Sequence, residues 1–328
     1  MDRIRGDSGG ARGRVALASN LQLETCKLNP ETRPVRWEKV TLIGVGLLGG
    51  SLGLALKRRR LAGQVVGFVR RRFSVKECER SGAVDCATLD LETAVRDADL
   101  IVLCTPIGQM AVLGKQLKPW LRPGAIVTDV GSVKGSVVRD LEGLIRRAGG
   151  HFIGSHPMAG SEKTGVSAAR EDLFRGALCV VTPTSRSDRG AIRKVERLWE
   201  QVGSRVVRLK PALHDDLVSR SSHLPHLVAA ALVSQALSPK QRPEQGMLCA
   251  NGFRDTTRIA SGSPEMWRDI ALANGLRIDR ALGAFISELN RVRSALRSGN
   301  QAALSKFLEN AKQRRDRWAA GAESHSPE

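Results

Sequence analysis

Val40-Thr-Leu-Ile-Gly-Val-Gly-Leu-Leu-Gly-Gly-Ser51 runs from a β-branched, apolar segment straight into Gly44-x-Gly46-x-x-Gly49. A dinucleotide cradle needs glycine at each point. Gly44 makes the tight turn, Gly46 lets backbone N–H groups approach a pyrophosphate, and Gly49 lets the next helix pack on the strand. The segment to Lys57 reads as that helix, so its first amides, those of Leu47 and Leu48 among them, and its dipole face the phosphates. A glycine triplet alone is weak evidence. Here a second strand over Gln64 to Val69 completes a ~30-residue βαβ unit, which is the context the motif requires.

Outward from this stretch the pattern alternates. Strands are predicted at Val40–Val45, Val65–Val69, Leu100–Cys104, Ala125–Asp129, His151–Gly154, Leu178–Thr182 and Val206–Leu209. Helices are predicted at Leu47–Lys57, Val75–Ser81, Leu89–Asp97, Gly108–Leu117, Val133–Ala148 and Ala191–Val202. The fold class is therefore α/β: a Rossmann-type, doubly wound parallel sheet over residues 38–210. Beyond Pro211 the strand signals stop. Leu213–Leu237, Pro264–Ala273, Leu276–Leu296 and Gln301–Trp318 all space apolar residues helically, so residues 211–320 form an all-helical domain, with 321–328 a tail. Leu227–Val233 is apolar around most of a helix, which favours a subunit interface and a homodimer formed through the helical domain. Residues 1–37 lack periodicity and read as a disordered leader.

Composition narrows the function classes. The chain has 328 residues, 41% of them hydrophobic, and no apolar run near 18 residues; no membrane span or signal peptide is predicted, and a cytoplasmic location is expected. Six cysteines without C-x-x-C spacing suit reduced structural thiols. The net charge of +19 is spread over several clusters with few interleaved aromatics, so nucleic acid is not an expected partner. A basic field does raise the encounter rate of an anionic substrate.

Three further segments narrow the reading. They are Asp129-Val-Gly-Ser-Val-Lys134, His156-Pro-Met-Ala-Gly-Ser-Glu-Lys-Thr-Gly165, and the pair Ser222-His-Leu-Pro-His226 with Phe253-Arg-Asp-Thr-Thr-Arg-Ile-Ala260, leading to Met266-Trp-Arg-Asp269. With the glycine loop they resemble the prephenate and arogenate dehydrogenases of tyrosine biosynthesis, over roughly Lys39 to Trp318 and in what looks like the monofunctional, core form. The resemblance implies oxidative decarboxylation of a cyclohexadienyl substrate, with hydride transfer to NAD or NADP. Two other readings stay open: a related hydroxy-acid dehydrogenase of the same fold, and a nucleotide-sensing protein without turnover.

Within that resemblance, His156 is the expected general base; it lies after a predicted strand, in a Gly/Pro-rich loop where packing does not need an imidazole. Ser132 is expected to bond both that histidine and the nicotinamide side, or to cap the helix from Val133. Arg258 is the candidate for the ring carboxylate, since a guanidinium matches it bidentately, and Asp255 is expected to fix Arg258. The family comparison turns His226 toward substrate and leaves His223 structural. No third ligand completes a metal site with this pair. Glu162 is expected to gate or orient the substrate. Trp267 either reaches the site from the neighbouring subunit, as in relatives, or anchors its own helix. Thr105 and Pro106, after the strand Leu100–Cys104, join the cofactor set.

Cofactor choice turns on the tip of the second strand, where NAD-selective folds place an acidic residue. Val69 stands there, followed by Arg70, Arg71 and Arg72. Removing the carboxylate and adding cations favours NADP over NAD.

Overall fold

In the computed structural model, which describes residues 35–161, 163–242 and 244–323, the glycine loop joins β1 (Trp37–Ile43) to α1 (Leu47–Arg58). The chain then alternates through β2 (Ala62–Phe68), α2 (Arg72–Arg80), β3 (Cys86–Thr88), α3 (Leu91–Val95), β4 (Leu100–Leu103), α4 (Ile107–Leu117), β5 (Ile126–Asp129) and α5 (Gly135–Arg147). It continues with β6 (His151–Pro157), β7 (Leu178–Thr182), α6 (Arg189–Gln201) and β8 (Arg205–Arg208).

These strands form one sheet in the order β3-β2-β1-β4-β5-β6-β7-β8. Every residue of β4 and β5 is buried, as expected for parallel strands covered by helices on both faces. Each large apolar side chain so buried contributes about 1.5–3 kcal/mol relative to exposure. The order reverses direction between β1 and β4, which opens a crevice at their carboxyl ends. The glycine loop follows β1 into that crevice, and Cys104–Pro106 follows β4.

Four features depart from the sequence reading. The sheet is mostly parallel, but β7 runs antiparallel to β6, with Gly154 opposite Thr182 and Pro157 opposite Cys179. That pairing carries β6 past Gly154, so His156 sits buried on a strand and not in a loop. The short β3 was hidden because three residues are too few for a period. Trp37, assigned to the leader, is the first residue of β1 and is buried opposite Ala62; residues 1–34 of the leader lie outside the described residues.

The second half is helical: α7 (Pro211–Val218), α8 (Leu224–Ala236), α9 (Glu244–Met247), α10 (Asn251–Thr257), α11 (Pro264–Ala273), α12 (Gly275–Arg297) and α13 (Gln301–Glu323). The single helix expected over Leu213–Leu237 is interrupted by a wide π turn at Ser219–His223. Pro225 lacks the N–H an uninterrupted helix would use and sits in the first turn of α8. The turn brings His223 and His226 inward, and both are buried. Within one chain few apolar residues of these helices are covered: Ile278 and Ala281 are the buried residues of α12, while Leu276, Ile286, Leu289, Leu296, Phe307 and Trp318 are exposed.

Candidate active site

The glycine loop fits a pyrophosphate. Gly44 has φ +96°, and a Cβ there would meet Thr105 Cγ2 at 3.0 Å and the Cys104 carbonyl oxygen at 3.1 Å. A Cβ on Gly49 would lie 2.1 Å from the Gly44 carbonyl oxygen, so α1 can pack this close only on glycine. Gly46 faces open space. The first backbone bond of α1 runs from Gly50 N–H to the Gly46 carbonyl oxygen, 2.7 Å, which leaves the preceding amides free at the helix N-terminus. The first turn carries no acidic side chain to repel an anion.

A cleft of about 360 Å³ extends from this loop. Gly46, Leu47 and Leu48 form one side, Thr105, Pro106 and Ser132 the floor, and Gly262, Ser263 and Met266 of the helical domain the facing wall. The structure thus gathers the expected cofactor residues of the glycine loop, β4 and β5 in one place. Arg70 and Arg71, exposed beyond β2, do not line this cleft. Val69 is buried in the core and does not present its side chain at the strand tip.

His156 is buried at the end of β6. Its Nδ1 lies 2.8 Å from Nε2 of His214, and Nδ1 of His214 lies 2.9 Å from Oδ1 of Asp215. Burial holds His156 well below the ordinary histidine range, helped by His214, Lys134 and His223, so the imidazole is neutral at pH 7. Burial also lowers His214, against the opposing pull of Asp215. Burial works against the Asp215 carboxylate, yet its bonds from His214 and from the Lys134 and Gly135 amides bring it below the usual range.

Ser132 makes no side-chain hydrogen bond among the described residues, and His156 Nδ1 is taken by His214 instead. Nor does Ser132 cap α5. The Asp215 carboxylate fills that position, accepting from Lys134 N at 2.7 Å and Gly135 N at 2.8 Å. Beneath the site, Lys134 Nζ donates to Asp129 Oδ2 and, at 2.8 Å, to the Ser155 carbonyl oxygen; both charged side chains are wholly buried.

An aromatic pair packs against that facing wall. His226 stacks on Trp267 of the same chain, ring centroids 3.4 Å apart and planes 12° from parallel, and this pair abuts Gly262. His226 Nδ1 and His223 Nε2 are buried without a hydrogen-bond partner among the described residues. Burial pushes His223 down to about 4. Arg258 opens the short turn Arg258–Ser261 that leads to Gly262, and is exposed. Asp255 is exposed with no ion pair among the described residues, so nothing here ties it to Arg258. Glu162 lies outside the described residues.

Sequence reasoning missed His214, Asp215 and the buried Lys134–Asp129 pair. Lys134 and Asp129 bound a recognised motif, but nothing in their spacing shows that both are wholly buried. His214-Asp215 carries no periodic signal at all.

A glycine cradle at the switch point of this sheet, with a neutral histidine buried on the strand that leads into the cleft-lining Ala159, defines a nicotinamide-nucleotide oxidoreductase. Family models describe the same two parts: the prephenate dehydrogenase nucleotide-binding domain matches residues 52–208, and the prephenate dehydrogenase dimerization domain matches residues 210–310. The chain belongs to the prephenate/arogenate dehydrogenase family. It is 34% identical to the prephenate dehydrogenase of Bacillus subtilis strain 168 over 281 residues, covering 85% of this chain and 76% of that one. Prephenate dehydrogenase from A. aeolicus, solved with hydroxyphenyl propionate and NAD+, superimposes with a TM-score of 0.80 at 34% identity, covering 85% and 98% of the two chains. Synechocystis arogenate dehydrogenase gives 0.72 at 32% identity, covering 85% and 99%.

Proposed function

We propose that this protein oxidatively decarboxylates a cyclohexadienyl substrate, prephenate or arogenate. The observation that carries this reading is the neutral His156, buried at the end of β6 just before Ala159, which lines a cleft shared by the glycine loop and the helical domain. The relatives named above are two prephenate dehydrogenases and one arogenate dehydrogenase, and the A. aeolicus protein was solved with a hydroxyphenyl compound.

When bound, the nicotinamide supplies the acceptor for the hydride leaving the ring carbon that bears the hydroxyl. The ring carboxylate departs as carbon dioxide, and its bonding pair enters the ring, which becomes aromatic. His156 takes the hydroxyl proton as the C–O bond gains carbonyl character, and returns it to the phenolic oxygen at the end. No net proton is released in that balance. Ser132, on the cleft floor, orients the nicotinamide side. His226, stacked on Trp267, presents an imidazole edge to the substrate, and Glu162 is assigned to gate or orient it. Initial rates on prephenate and arogenate, each with NAD and NADP, test the reading; no turnover on any of the four pairs would refute it.

Arg258 binds the ring carboxylate in this scheme. Arg258→Ala raises KM by roughly 10- to 100-fold, the scale of a hydrogen bond to a charged group, and Lys restores only part because it lacks the bidentate fork. A KM unchanged in steady-state assays sends the role to another cation.

NADP is the favoured cofactor, NAD the alternative. Arg70 and Arg71 are exposed just past β2, and no carboxylate stands there to repel a 2′-phosphate. Because Val69 is buried, an acidic substitution there would bury a charge, so the arginines make the better test. Arg70→Ala with Arg71→Ala lowers kcat/KM for NADP by roughly tenfold relative to NAD, a loss moderated by solvent screening. Wild-type protein that prefers NAD tenfold shows the arginines to be surface charge only.

The apolar faces left open on α12 and α13 support a homodimer formed through the helical domain. No helix among the described residues is long and apolar enough to cross a membrane. The cytoplasm is the expected location, which the described cysteines, all unpaired, support.

A further inference from the structure

The hydrogen bonds behind His156 determine which of its nitrogens can accept a proton. The Asp215 carboxylate is held ionised at the N-terminus of α5 by the Lys134 and Gly135 amides. An ionised carboxylate only accepts, so the His214 nitrogen facing it, Nδ1, carries the proton. Neutral His214 then has a lone pair on Nε2, 2.8 Å from Nδ1 of His156. That contact is a hydrogen bond only if His156 donates, which puts the His156 proton on Nδ1 and leaves Nε2 as the acceptor. No hydrogen bond among the described residues engages Nε2.

We propose that His214 and Asp215 are positioning residues, which hold His156 in the tautomer that presents the Nε2 lone pair to the substrate hydroxyl. This deepens the reading of His156 as proton acceptor and rests on it. When the substrate O–H bond breaks and an N–H bond forms at Nε2, the imidazolium keeps its Nδ1–H on His214, and the ionised Asp215 stabilises the charge one ring away. The same bonds serve when the proton returns to oxygen.

The groups facing this chain are consistent with it. Lys134 precedes α5, Asp129 ends β5, Cys179 lies on β7 and His223 lies in the π turn. Lys134 and His223 disfavour an imidazolium, and Asp129 and Asp215 favour it. Asn274, between α11 and α12, donates through Nδ2 to the Asp215 carbonyl oxygen at 2.8 Å and lies 3.2 Å from Nδ1 of His223. Elements of both domains therefore fix the relay, and both its imidazoles are buried.

A tie that merely joined α7 to α5 would affect stability but not tautomer. Long-range 1H–15N correlation spectra of full-length protein labelled in histidine, with His156 assigned by its loss in His156→Asn, read the tautomer without turnover. The expected wild-type result is a protonated Nδ1 and a bare Nε2 on His156. His214→Phe removes the acceptor: kcat falls 10- to 100-fold, KM and cofactor Kd stay within twofold, and the His156 tautomers mix. His214→Gln, whose amide can accept from His156 and donate to Asp215, keeps the wild-type tautomer and most of kcat. A wild-type spectrum with the proton on Nε2, or a folded His214→Phe with wild-type kcat, overturns the proposal. If His214→Phe does not fold, the wild-type spectrum and His214→Gln decide. Full activity in His156→Asn would instead overturn the proton-acceptor reading itself, so the two failures are distinguishable.

Discussion

His156→Asn lowers kcat by roughly 10²- to 10⁴-fold while cofactor affinity stays within about twofold of wild type. Asparagine is close to histidine in reach, and its amide can still donate to His214, so β6 keeps its packing. What it cannot do is take a proton at the substrate oxygen. The pyrophosphate cradle is built from the glycine loop, which the substitution does not touch, and so the effect falls on the chemical step. The wild-type pH profile carries a matching sign. Burial, His214, Lys134 and His223 keep His156 below the ordinary histidine range, so the accepting form is full at pH 7 and is lost as pH falls. The acid limb of kcat/KM therefore lies below about 6.5, the unperturbed histidine value, and disappears from the residual activity of the variant. Stopped-flow and steady-state rates check both points; a variant retaining most of the wild-type kcat would remove histidine from the mechanism.

The legibility of this chain in its sequence followed the range of the interactions involved. Gly44, Gly46 and Gly49 were readable because their spacing is local: the atom that most severely forbids a side chain at Gly49 is the Gly44 carbonyl oxygen of the same loop. The long helices of the second domain were readable from apolar spacing, except where the π turn at Ser219–His223 interrupts a periodicity that continues on either side, whereas the short α9 and α10 hold too few residues to show a period. His156 was found through its motif, but its setting was misplaced, because the antiparallel β7 that buries it is recruited from more than twenty residues downstream. His214 and Asp215 meet His156 and the α5 N-terminus across 58 and 80 positions of sequence. No local pattern encodes such a meeting; it depends on where α7 docks after the sheet is complete. Likewise the cap of α5 was sought in Ser132, three residues upstream, and is supplied by Asp215 from another element.

Lys134→Met destabilises the fold by about 3–5 kcal/mol, because it leaves Asp129 as a buried carboxylate without its cation. Both side chains are wholly buried in the wild type, and Asp129 retains only backbone donors afterwards: Gly131 N at 2.9 Å and Ser155 N at 3.2 Å. At roughly 2–4 °C per kcal/mol for a chain of this order, Tm falls by roughly 6–20 °C. Adding Asp129→Asn removes the stranded charge and recovers a good part of the stability, as neutral replacements of buried pairs tend to do. Lys134 is also one of the charges that hold His156 down, so its loss raises the His156 value and moves the acid limb of kcat/KM upward. Thermal unfolding of the single and double variants at pH 8, with the pH–rate profile of each, checks these outcomes. A single variant within about 2 °C of wild-type Tm at pH 8 would show that Asp129 does not depend on Lys134 for its burial.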